Sequence, residues 1–120
     1  MGRGAGDRPR TALNRGDIYL ITPDPTSGHE PSGRRPVLVI SAGAFNRATR
    51  LPIVLPVTRG GESVRRLGFA VTLTGLKTTG IVRCDQPRAL DLEACDGVKV
   101  EEIGGALLDE VMARVIAIFE

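Results

Sequence analysis

Apolar residues in this chain gather in short runs separated by Gly, Pro and Arg, and only the C-terminus shows a helical repeat. Asp17-Ile18-Tyr19-Leu20-Ile21 joins β-branched and aromatic residues and is stopped by Pro23 and Pro25, which predicts a strand. Arg35 to Ser41, centred on Val37-Leu38-Val39-Ile40, predicts a buried strand whose Pro36 end lies at a sheet edge. Ala42 to Arg50 predicts a short helix or turn with Phe45 tucked inward. Leu51 to Thr58, with Pro56 near its end, Phe69 to Leu73, and Thr78 to Pro87 predict further strands, and Ala89–Leu92 and Val98–Val100 predict two short ones. Leu107, Leu108, Val111, Met112, Val115, Ile118 and Phe119 recur at helical spacing. Short strands closing on themselves beside one terminal amphipathic helix predict an α+β domain built on a small, partly open β-barrel.

Residues 1–14 are rich in Gly and Arg without apolar periodicity and read as a flexible basic tail ahead of a single domain over 15–120. A chain of 120 residues that is 42% hydrophobic has room for one core. Residues 23–34 form a long run of turn formers that carries His29, the only histidine, and residues 59–66 read as a flexible basic loop. The four aromatic residues are too few for a base-stacking platform. Cys84 and Cys95 lack the spacing and companion histidines of a zinc site, so no metal or other cofactor is expected. No stretch has the length of a membrane span or the pattern of a signal peptide, and a soluble cytoplasmic protein is expected.

Charge is unevenly divided. Residues 34–88 hold ten Arg and Lys against Glu62 and Asp85, a balance of +8, whereas residues 89–120 hold two against eight, a balance of −6. The middle of the chain therefore reads as the face towards a polyanion and the C-terminal part as a solvated exterior.

Within the basic segment, Thr78-Thr79-Gly80-Ile81-Val82-Arg83-Cys84-Asp85-Gln86-Pro87 stands out. Strand alternation puts Thr79, Ile81, Arg83 and Asp85 on one face and turns Cys84 to the core. The Cα atoms of Arg83 and Asp85 then lie about 6.6 Å apart, close enough to share one phosphate. An ordinary same-face ion pair would look the same from this stretch alone.

The segments RGDIYLI, DPTSGHE, GRRPVLVIS, AFNR, LPIVLPVT, GFAVTL and TTGIVRCDQPRALDL, in this order, closely resemble the MazF/PemK/Kid family of toxin-antitoxin endoribonucleases, nearest to its PemK/Kid branch. The resemblance implies an SH3-like barrel and a homodimer in the cytoplasm. It further implies metal-independent cleavage of single-stranded RNA and inhibition by a cognate antitoxin, with operator DNA as a further partner of the toxin–antitoxin complex. Carried onto this sequence, it implies Asp85 as general base, Arg83 as catalytic arginine and His29 as an active-site contributor, with Arg35 and Thr58 near the scissile phosphate. Arg34, Arg59, Phe69 and Thr79 fall in or beside segments implied to line the RNA groove. Two departures concern that groove: Arg59 stands where the PemK/Kid branch has serine, and the turn before Thr78 is two residues shorter.

Elementary chemistry agrees with the assignment. Attack by a neighbouring 2′-hydroxyl needs a base, a clamp on the phosphoryl oxygens and a proton for the leaving 5′-oxygen. Asp85 can accept, while Arg83 and Arg35 can clamp. His29, with an unperturbed pKa near 6.5, suits the proton donor better than an arginine whose pKa exceeds about 12. A non-catalytic SH3-like module binding nucleic acid or peptide is the competing reading, and it leaves unexplained why a carboxylate sits among arginines.

Overall fold

The computed structural model describes residues 13–22, 33–60 and 66–120. His29, most of the N-terminal tail and most of the 59–66 loop therefore lie outside the described residues. Along the chain run β1 (Asp17–Ile21), β2 (Arg35–Val39), helix α1 (Gly43–Thr49), β3 (Ile53–Thr58), β4 (Ala70–Thr72), β5 (Ile81–Arg83), β6 (Arg88–Ala89), β7 (Val98–Glu102) and helix α2 (Gly105–Ala117). All the strand pairs are antiparallel, in the order β4-β5-β3-β2-β1-β7, with β6 also on β3.

Both faces of the central strands are covered, which is why their sequences read as continuous apolar runs. Ile18, Leu38, Leu55, Val57 and Val82 pack with Val111 and Val115 of α2, while Tyr19, Ile21, Val37, Val39 and Val54 pack with Leu92. Leu38, Leu55 and Val82 are wholly buried, each stabilising the fold by about 1.5–3 kcal/mol on transfer grounds.

Four expectations need correction. Phe45 is 44% exposed, and the residue of α1 that turns inward is Asn46, whose amide donates to the carbonyls of Leu13 (2.7 Å) and Ser41 (2.9 Å). Here hydrogen-bond demand at the β2–α1 junction outweighs hydrophobicity. Ile118 and Phe119 lie beyond the end of α2 and are exposed, so the apolar stripe on the core ends at Val115. Pro36 is not at an outer edge of the sheet, since β2 lies between β1 and β3; it pairs with Leu20 of β1, while its β3 side is an open edge within the sheet because the β2–β3 pairing stops at Val37. The stretch from Thr78 to Pro87 is not one strand, because β5 stops at Arg83.

The last two corrections share a cause. The Ile40 amide donates to the Ile53 carbonyl (2.9 Å) and the Leu90 amide to the Pro52 carbonyl (3.0 Å), which sets the phase of the ladders. Ile53, Leu55 and Val57 turn their backbone polar groups to β2, whereas Val54, Pro56 and Thr58 turn theirs to β5 and β6. Pro36 has no N–H for the next bond towards Val57, and the β2–β3 pairing ends at Val37. Pro56 has none for the opposite edge, and there the facing chain bulges. Val57 pairs with Val82 and Val54 with Arg88, so three steps along β3 match six along the other chain and three residues are extruded.

Candidate active site

The extruded segment carries Asp85. Its base is anchored by Cys84, which is fully buried and donates its amide to the Phe69 carbonyl (2.9 Å). Burial pushes the Cys84 thiol up to about 11, so it is a packing residue rather than a nucleophile. The Gln86 amide closes the turn on the Arg83 carbonyl (3.2 Å). Arg83 then meets Asp85 in a fork: Nε donates to Oδ1 and a terminal nitrogen to Oδ2, both at 3.0 Å. Sequence alternation foresaw the meeting, but the turn, not a shared strand face, produces it. The hydrogen bonds from Arg83 hold the Asp85 carboxyl below its ordinary range, and the same bonds raise the Arg83 guanidinium.

Strand register places other candidates on the Arg83 face. Residues directly across a ladder share a face. Thr58 pairs with Ile81, and Arg35, two residues beyond the last β2–β3 pair, lines the same hollows as Thr58. Extending the β3–β5 register by one residue sets Arg83 opposite Pro56. Arg35 on β2 and Arg83 at the end of β5 thus lie on either side of β3. On this face an open hollow of about 430 Å³ is lined by Arg35, Val37, Pro56, Thr58, Arg88 and Leu90 among others.

Where β2 and β3 part beyond Pro36, a second open groove of about 720 Å³ begins. Arg34, Arg35, Thr58, Arg59 and Thr79 line it together with Lys77 and Thr78. Five of the residues singled out in the sequence are therefore brought together here. Arg83, Asp85 and Phe69 do not line this groove, although Arg83 shares the sheet face of Arg35 and Thr58. Phe69 is half-buried and serves the bulge through its carbonyl.

The arginines of the groove are unequal. Arg34 donates to the carbonyls of Leu20 and Asp96, both at 2.9 Å, and so ties β1 to the turn before β7. Arg35 and Arg59 are exposed, with no hydrogen bond or ion pair among the described residues, and are available to an anion.

Sequence reading missed Lys77, Thr78 and Glu101. Glu101 belongs to the segment read as a solvated exterior, yet its Oε1 accepts from the Lys77 amide (3.1 Å) and its Oε2 from the Thr78 amide (2.6 Å). Burial pushes this carboxyl up, but bonds from Thr78 and Lys77 together outweigh burial and hold it below its ordinary value. The signal was hidden by a β-bulge: Ile18 pairs with Glu101 and Tyr19 with Lys99, so Val100 is an extra residue and plain alternation misplaces its neighbours.

Residues 14–119 match the family model for the PemK-like, MazF-like toxin of type II toxin-antitoxin systems. The chain is 49% identical over 113 residues to the endoribonuclease PemK of Escherichia coli, covering 92% of this chain and 85% of that protein. It is 36% identical over 114 residues to the endoribonuclease toxin ChpB of Escherichia coli K12, covering 92% and 97%. Among solved structures, the MazE–MazF crystal structure (Form-II) from Deinococcus radiodurans superposes with a TM-score of 0.77 at 31% identity, covering 90% of this chain and 96% of that one.

Proposed function

This chain belongs to the PemK-like, MazF-like toxin family of type II toxin-antitoxin systems, and from that premise we propose that it is an endoribonuclease acting on single-stranded RNA in the cytoplasm. The observation that carries the reading is the fork between Arg83 and Asp85 on an extruded turn, beside a sheet face and groove that hold Arg35, Thr58 and Arg59. A pure phosphate-binding surface gains nothing from an added carboxylate, whereas a transesterase needs one. A cognate antitoxin covering the basic groove and a homodimer complete the reading.

The scissile phosphate sits between Arg35 and Arg83, with the Thr58 hydroxyl at its edge. Asp85 is a weak base while both of its oxygens hold Arg83. An arriving phosphate offers the guanidinium an alternative pair of oxygens of the same geometry, and Arg83 exchanges one anion for the other. Released, Asp85 takes the 2′-hydroxyl proton as the 2′-oxygen bonds to phosphorus. The bond from phosphorus to the 5′-oxygen breaks and that oxygen takes a proton from His29. The products are a 2′,3′-cyclic phosphate and a 5′-hydroxyl. Arg35 and Arg83 stabilise the charge developing on the phosphoryl oxygens.

The test is incubation of purified protein with labelled single-stranded RNA in EDTA, alongside a substrate carrying 2′-deoxyribose at the cut position. Cleavage of the first and intact binding of the second are expected. Cleavage of the deoxy substrate rules out the neighbouring hydroxyl as nucleophile, and binding of both without cleavage makes the protein a binding module.

A further inference from the structure

Both oxygens of Glu101 are spent on the backbone of a turn far away in sequence. That turn joins β4 to β5 and forms one wall of the 720 Å³ groove that Arg35 and Arg59 also line, presenting Lys77, Thr78 and Thr79. It is held at a second point. Gly80 has φ +137°, and a Cβ there would meet the Thr58 carbonyl at 2.7 Å and Val57 Cγ1 at 2.9 Å, so the chain presses directly on β3. The Leu73 amide bonds the Gly80 carbonyl at 3.0 Å. Pinned to β3 at Gly80 and to β7 at Lys77 and Thr78, the short stretch between has little freedom to adjust its distance from Thr58. Bonds to an ionised carboxylate are stronger than neutral ones, so the β7 anchor is the firmer for its charge.

We propose that Glu101 is a positioning residue for RNA recognition: by gripping the Lys77 and Thr78 amides it fixes the width of the groove, and with it which nucleotides the protein prefers beside the cut. This rests on the ribonuclease reading above. Arg83 and Asp85 lie around the bulge of β5 and do not line this groove, so the base and its arginine keep their places when the wall moves. A specificity role therefore separates from a catalytic one: disturbing the wall changes KM and the ranking of sequences while kcat on the best site persists. A brace that merely holds the fold together would instead lower activity on all sequences alike.

Glu101→Gln keeps the length but leaves one acceptor oxygen and points an NH2 at a backbone N–H. The experiment compares native protein, Glu101→Gln and, as a control on the same strand, Glu102→Gln, whose carboxylate faces Lys99. Each is given a randomised RNA pool and a non-cleavable 2′-deoxy RNA of the preferred sequence. For Glu101→Gln, discrimination between best and second-best site should fall on the order of 10-fold, through KM and the dissociation constant of the deoxy RNA, with kcat within about twofold. Glu102→Gln should match native protein. In native protein, the amide proton resonances of Lys77 and Thr78 should move together in an acid titration. An unchanged ranking, a uniform loss across sequences with a lower melting temperature, or amide resonances that ignore Glu101 would each overturn the proposal. If Glu101→Gln does not fold, Lys77→Ala and Thr79→Ala leave the grip intact and must flatten discrimination themselves; if they do not, the wall reads no RNA and the proposal fails. A native protein that cleaves no RNA at all refutes the ribonuclease reading instead, and the amide titration still reports on the grip.

Discussion

Asp85 spends both oxygens on Arg83 in the free protein, and a carboxylate so held is a poor base until something competes for the guanidinium. This gives the pH dependence a sign. In kcat/KM, which reports the free enzyme, the acidic limb, where Asp85 must lose its proton to act as base, should lie below the ordinary carboxylate range. In kcat, which reports the bound complex, it should move up, because phosphate has drawn Arg83 away. Coincident limbs would mean that Arg83 never leaves Asp85. Asp85→Asn should cost on the order of 10² to 10⁴ in rate with binding largely kept, measured by single-turnover cleavage beside RNA titration. The pairing itself was legible from spacing, since residues two apart reach one another in a strand or a tight turn. Its chemical consequence was not, because a depressed pKa depends on both side-chain torsions.

At the scale of elements, two prolines decide where the sheet opens. Pro36 and Pro56 lack the amide that each ladder needs at that point, and the groove and the bulge begin there. Pro56→Val restores a donor towards the β5–β6 edge. Its thermal stability should equal or exceed that of the native protein, while cleavage falls at least about 10-fold because the extruded turn is drawn back into the ladder. Full activity in Pro56→Val would show that the bulge is held open by Cys84 and Phe69 alone. Gly80→Ala tests the other wall: φ +137° and a carbonyl 2.7 Å from the new Cβ should cost about 1–3 kcal/mol in a denaturant titration. Both prolines and the glycine were visible in the sequence. What alternation cannot supply is the phase of a ladder, which is set here by the Ile40 and Leu90 amides, and so the stretch from Thr78 to Pro87 holds one short strand that ends at Arg83 and then a turn.

At the scale of the whole molecule, the division of charge along the chain survives folding only in part. Several acids of the C-terminal segment are committed internally: Glu93 to Arg50, Glu101 to the groove wall, Glu102 to Lys99 and Glu110 to Arg114. On the basic side, Arg34 is likewise committed, to two carbonyls, while Arg35, Arg59 and Lys77 point into the groove. A sequence count treats Arg34 and Arg35 as equals, and the fold separates them. With Arg83 added, three or four phosphate contacts give a log–log slope of RNA affinity against salt of about −2 to −3, from roughly −0.7 per contact on a single strand. Arg35→Ala should lower that slope by about 0.7 and leave the melting temperature nearly unchanged. Arg34→Ala should do the reverse: it releases the Leu20 and Asp96 carbonyls to water and unties β1 from the turn before β7, which lowers the melting temperature while the slope stays. Measuring both quantities on both variants separates the polyanion-binding face from the scaffold beneath it. Equal losses of slope from the two arginines would show that Arg34 leaves its carbonyls for RNA, and that the groove is wider and more basic than its free form.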